Sequence, residues 1–184
     1  MSIKITQGDV LESKVDGIKI IVHCCNDISS FGSGVAGNIS RKWPHVKNYY
    51  HSWHSRDVNK DTPFVLGQIQ VVKAEKDVYV CNLIGQRDIG GFKIGEKFIP
   101  PIRYEAIEEG FYRLLDRVEK YSGPEKISIH APLLGCGLAG GNLDRIYLIA
   151  QDVFGKSSVE FTFYAFSDED WKNLQGIHEA FNYR

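Results

Sequence analysis

The stretch IIVHCCNDISSFGSGVAGN, residues 20–38, opens as an apolar strand, crosses a polar patch and closes on Gly32, Gly34 and Gly37 ahead of a helical pattern. Glycine weakens local structure, so three of them between a buried strand and a helix mark a sharp bend or a close approach to the backbone. A second stretch repeats the design. After the strand-like KISIHAPL, residues 135–142 read GCGLAGGN, so both loops spell G-x-G-[VL]-A-G behind a strand and ahead of a helix. Backbone N–H groups at a helix start form an anion site, and glycines let phosphate oxygens reach them. Two such loops suit a diphosphate. Turn chemistry alone accounts for either loop singly, and less well for the matched pair. A dinucleotide-fold reading of G-x-G-x-x-G fails, because residues 26–31 separate the strand from the first glycine. The acidic residue expected about 20 positions further on falls near Asp57, at no strand end.

Strand-like runs rich in β-branched and aromatic residues appear at SIKIT, IKIIVHC, LGQIQVVKA, DVYVCNLIG, KISIHAPL and VEFTFYAF. LGQIQVVKA and DVYVCNLIG, separated by Glu75 and Lys76, read as a hairpin. Between the runs lie helical patterns. Over residues 101–121, Ile107, Phe111, Leu114, Leu115 and Val118 recur at helical spacing; over 142–154, Ile146, Ile149, Ala150, Val153 and Phe154 do the same, with Asn142 as N-cap. Residues 44–56 predict a helix followed by a loop to 62, and Ser167 with Asp170 predicts the start of a last short helix. A hairpin within otherwise alternating strands and helices predicts a mixed sheet flanked by helices, in a single α/β domain over residues 1–184.

The chain has 184 residues, 43% hydrophobic and 24% charged, with a formal net charge of −1. No long-range positive field gathers nucleic acid or an acidic membrane, so an anionic partner must be held by local groups. The N-terminus shows no signal-peptide pattern, and no apolar run reaches the length of a membrane span. Cysteines at 24, 25, 81 and 136 sit in or beside apolar segments, which suits a reducing cytosol better than a disulfide framework. The expectation is a cytoplasmic monomer with neither a nucleic-acid nor a membrane partner. No metal site is expected. Cys24 and Cys25 point to opposite faces of a strand, and His51 and His54, with His45 nearby, lack a further ligand at suitable spacing.

The GDV of residues 8–10, the HCCN strand end, the GSGVAG loop and the PLLGCGLAGG of residues 132–141 together resemble the macro domain, an ADP-ribose-binding module. VHCCN…FGSGVAG…WP and IGQRDIGGFKIGEK are most similar to the branch of yeast-type ADP-ribose 1″-phosphate phosphatases. The resemblance implies a three-layer α/β/α fold with a mixed sheet of about six strands, no cofactor, and ADP-ribose, its 1″-phosphate or an ADP-ribosylated protein as partner. It assigns the adenine amino group to Asp9 beside the Val10 backbone, and adenine stacking to Phe166. It assigns the distal ribose to Asn26, one phosphate to Gly32, Gly34, Val35 and Ala36, and the other to Gly135, Cys136, Gly137, Leu138 and Ala139. Each side chain has a simpler reading beside this one: Asp9 as a turn residue, Phe166 as core and Asn26 as an Asx-turn.

For catalysis the resemblance singles out His23, three residues before Asn26, where an imidazole could orient or deprotonate water near a phosphomonoester. A histidine inside IIVHCC is otherwise a buried, hydrogen-bonded core residue. Asn26 joins it in the expected catalytic set. Asp144 is the expected acidic partner, with macrodipole compensation at a helix start as its alternative role and Asp27 as another candidate. A second branch removes ADP-ribose from acidic side chains with a lysine and an aspartate; the corresponding places here hold Gln86 and Ala139, and glutamine cannot form a Schiff base. The functional expectation is hydrolysis of ADP-ribose 1″-phosphate, with ADP-ribose binding without turnover, or removal of ADP-ribose from protein side chains through other residues, as the alternatives.

Overall fold

The computed structural model describes residues 3–55 and 62–182. Asp57 and the helix end expected at Arg56 lie outside the described residues. A six-stranded sheet runs through the molecule in the order β1-β8-β7-β2-β4-β3. Its strands are β1 (Lys4–Gln7), β2 (Ile18–Asn26), β3 (Ile69–Glu75), β4 (Val78–Gln86), β7 (Ile127–Pro132) and β8 (Glu160–Ala165). All neighbours pair in parallel except β3 with β4, which form the expected hairpin. Its tight turn falls at Lys76–Asp77, one residue later than expected, with Asp77 in the left-handed region at φ 59°.

The alternation of β2 creates two cores. Ile20 and Val22 face one side, where α3 (Tyr104–Glu119), α4 (Leu143–Phe154) and α5 (Asp168–Asn182) pack; Ile21 and Cys25 face the other, covered by α1 (Gly34–Lys42) and α2 (Pro44–Ser55). The result is the three-layer α/β/α architecture with a mixed sheet. In α3 the expected Ile107, Phe111, Leu114 and Val118 are buried, Leu115 is half-buried, and Ala106 and Gly110 complete the stripe. The two faces differ in chemistry. The α1/α2 side also buries Lys19, His23, Asn82, Ser128 and His130, each hydrogen-bonded.

Three features depart from the sequence expectation. The last helix is not short: α5 runs for 15 residues, because Leu174 and Ile177 reach the core. A two-stranded hairpin, β5 (Phe92–Ile94) with β6 (Lys97–Ile99), follows the sheet; its residues are exposed or half-buried, so no burial pattern announced it. The first glycine loop does not simply precede its helix. Gly34, Val35, Ala36 and Gly37 form the opening turn of α1.

Candidate functional site

A cleft of about 560 Å³ opens at the carboxyl ends of β2, β7 and β8, the place where ligands settle in open α/β sheets. The two connections that leave adjacent β2 and β7 diverge to opposite helical layers and form its walls. On one wall the α1 N-terminus presents the Gly34, Val35 and Ala36 amides, which a helix start leaves without intrahelical partners. On the other, residues 135–141 turn back on themselves, with Gly140 N donating to Gly137 O and Gly141 N to Gly135 O. Among the described hydrogen bonds, the amides of Gly137, Leu138 and Ala139 are not used by the protein. No lining residue is Lys or Arg. The positive ends available to an anion are therefore backbone N–H groups.

The glycines divide into two kinds. A Cβ on Gly37 would stand 2.7 Å from Gly32 O, and one on Gly141 2.5 Å from Gly135 O, so these two let each loop close on its own first glycine. A Cβ on Gly137 would meet nothing within 4 Å. That position is kept open on the cleft side.

Comparison with known folds gives the same architecture. The macrodomain protein from Streptomyces coelicolor superposes with a TM-score of 0.73 at 32% sequence identity, covering 90% of this chain and 100% of that one. The chain belongs to the macrodomain family. A protein of unknown function from Bacteroides thetaiotaomicron is similar too, with a TM-score of 0.80 and 31% identity over 90% of this chain and 99% of its own. Among curated proteins, the ADP-ribose 1″-phosphate phosphatase of Aspergillus oryzae is 45% identical over 51 residues, which span 28% of this chain and 24% of that protein. No protein-family model matches.

Within this macrodomain the residues expected at the site do not all meet. Gly32, Gly34, Val35, Ala36, Gly135, Cys136, Gly137, Leu138, Ala139, His23, Asn26 and Phe166 line the cleft. Phe166 is 76% exposed at its rim, which removes the core reading. Cys136 lines it, but its amide is already used, donating to Leu133 O. Asp9 and Val10 are not among the lining residues. Asp9 follows Gly8, whose amide donates to Ala165 O at the end of β8, and its Oδ1 accepts from Leu11 N at 2.8 Å. Val10 is buried against the α1/α2 layer.

Asp144 is the clear correction. It lies in the first turn of α4 and lines a separate shallow groove with Lys172, Asn173 and Gly176; helix-start compensation is the role left to it. Asp27 is engaged elsewhere, its Oδ1 accepting from Asp88 N. Asn26 folds its own loop: Nδ2 donates to Ser30 O at 2.6 Å, and Oδ1 accepts from Ile28 N and Ser30 N. The Asx-turn reading describes these bonds. His23 is 2% exposed, edge-on to Phe31, and its Nε2 pairs with Asn82 Oδ1 at 2.7 Å. An amide oxygen only accepts, so Nε2 carries the proton. Burial lowers the His23 pKa to about 4, against the partial support of Asn82, so the ring is neutral at pH 7.

Three thiols, Cys24, Cys25 and Cys136, also line the cleft, and burial raises all three, Cys24 and Cys136 to about 12, so none is a ready nucleophile. Among the described residues no cluster of His, Cys, Asp or Glu could hold a metal ion, and no helix is long and apolar enough to cross a membrane. Tyr164 and Asp170 join the cleft without having been expected there. Tyr164 is masked in sequence by an apolar strand. Asp170 was visible only as the capping partner of Ser167, and it does accept from Ser167 Oγ.

Proposed function

We propose that this macrodomain binds ADP-ribose, with the diphosphate between the α1 N-terminus and the 135–141 loop. The observation that carries the reading is the pair of free amide sets facing one cleft that lacks a cationic lining. Exposed Phe166 offers the adenine a stacking face, as aromatic platforms do for bases. Asp9, at the neighbouring strand end, offers a carboxylate to the 6-amino group. The distal ribose then lies toward Asn26, whose side chain shapes the loop around it.

The finer proposal is hydrolysis of ADP-ribose 1″-phosphate, the activity named for the Aspergillus oryzae relative that matches over 51 residues. Water attacks phosphorus, the P–O bond to the distal ribose breaks, and ADP-ribose and phosphate leave. The fixed amide dipoles of the cleft would stabilise the charge. His23 contributes as a neutral ring held in one tautomer by Asn82, not as a strong base. A second reading, binding without turnover, draws support from that same depressed basicity and from the position of Asp144 outside the cleft. Phosphate release from ADP-ribose 1″-phosphate, assayed with EDTA present to silence contaminating metallophosphatases, separates the two. Turnover that falls about 10²-fold or more in His23→Ala, in the range for acid–base or orienting groups, supports the hydrolase. No release above the His23→Ala background, with ADP-ribose still bound, leaves the binding module.

A further inference from the structure

Lys19 is 2% exposed in β2, and its ammonium makes no ion pair among the described residues. It donates instead to Val10 O at 2.5 Å, Ser13 O at 2.7 Å and Ser13 Oγ at 2.6 Å. Three N–H groups meet three acceptors, all in the irregular loop that follows β1 and carries Asp9. Lys42, from the last turn of α1, holds the same loop from its outer side through Leu11 O and Glu12. A buried cation is costly unless its hydrogen bonds are complete. Spending one on the carbonyls of an irregular loop fixes that loop more tightly than packing would.

We propose that Lys19 is a positioning residue for adenine recognition: by drawing down the carbonyls of Val10 and Ser13 it sets the loop from which Asp9 meets the 6-amino group. The inference rests on the proposed binding of ADP-ribose. It does not require hydrolysis.

The clamp is sensitive to protonation. A neutral amine has two N–H groups for three acceptors, so loss of the proton frees one carbonyl or turns the Ser13 hydroxyl around. Burial first, and the nearby Lys42 second, lower the Lys19 pKa to about 8; Asp9, Glu12 and Glu75 oppose the shift. His130, across the sheet on β7, also faces it, and with its own pKa lowered to about 4 stays neutral above pH 7. The sign for folding is opposite to the sign for recognition. A lysine whose folded pKa lies below its unfolded value gains stability as pH rises between the two, so a loss of adenine selectivity over that range cannot come from general unfolding at this site.

The test is calorimetric titration with ADP-ribose and with its analogue whose base is unsubstituted purine, lacking the 6-amino group. At pH 7 the parent should prefer ADP-ribose by about tenfold, the worth of a charge-assisted hydrogen bond. The preference should shrink to within about threefold by pH 9.5 and should be equally small, and flat with pH, in Lys19→Met. If Lys19→Met does not fold, Ser13→Ala, which takes the Oγ acceptor from the clamp, decides in its place and should narrow the preference. A folded Lys19→Met, or failing that a Ser13→Ala, that keeps the preference in full overturns the inference. Failure of the parent to bind ADP-ribose at pH 7 is a separate result, which overturns the binding proposal and this inference with it.

Discussion

At Gly137 an added side chain would point into open space, so the residue separates binding from folding. Gly137→Val should leave the melting temperature within a few degrees of the parent yet lower ADP-ribose affinity at least about a hundredfold, because its methyl groups occupy the place of a phosphate. A large fall in melting temperature would show that the glycine serves the fold instead. Phe166 makes the complementary case. At 76% exposure it has little core to lose, so Phe166→Ala should cost roughly 1–3 kcal/mol in ADP-ribose binding, as for base–aromatic stacking, and almost nothing in stability. Unchanged affinity would place the adenine elsewhere. At this scale the sequence was informative wherever the chemistry is backbone. Gly34 takes the left-handed φ of 53° at the helix start, and Gly32 and Gly137 leave the wall of the cleft open where a side chain would project. Side-chain roles were less legible. The pattern IIVHCC does not say that His23 Nε2–H donates a hydrogen bond to Asn82, a partner 59 residues away, and the position of Asp144 depends on how α4 rotates after its Asn142 cap.

The sheet supplies the next scale. His23 on β2 and His130 on β7 both sit on the buried polar face, the latter between Ser128 Oγ and Tyr164 OH, and burial lowers each pKa from 6.5 to about 4. A histidine with a lowered folded pKa binds fewer protons folded than unfolded between those values, so stability falls as pH drops from about 6.5 toward 4. Urea melts at pH 7 and pH 5 should show that loss, of order 1–2 kcal/mol per histidine at pH 5, and His130→Gln should lessen it. Equal stability at both pH values would mean that these rings are not held neutral. The hydrophobic periods marked β2, β4, β7, β8 and α3 because those elements bury whole faces. They missed the β5–β6 hairpin, whose side chains stay in water, and they underestimated α5, whose buried stripe is only Leu174 and Ile177.

For the whole molecule, the two layers of helices diverge from neighbouring strands and leave the cleft between their entry loops, so ligand binding should tie both layers to the sheet. ADP-ribose at about a hundred times its dissociation constant adds roughly 2.7 kcal/mol, which for a chain of this size raises the melting temperature by roughly 5–10 °C. No shift at saturating ligand would contradict the binding proposal. The proposed binding mode is narrower than that: one diphosphate held between two sets of amides. The most direct measurement is the backbone amide NMR spectrum during titration with ADP-ribose. Saturable shifts, with one common dissociation constant, are expected at Gly34, Val35 and Ala36 on the α1 side and at Gly137, Leu138 and Ala139 on the other. Shifts confined to one loop, or amide signals at both loops that stay still while ligand binds, would contradict it.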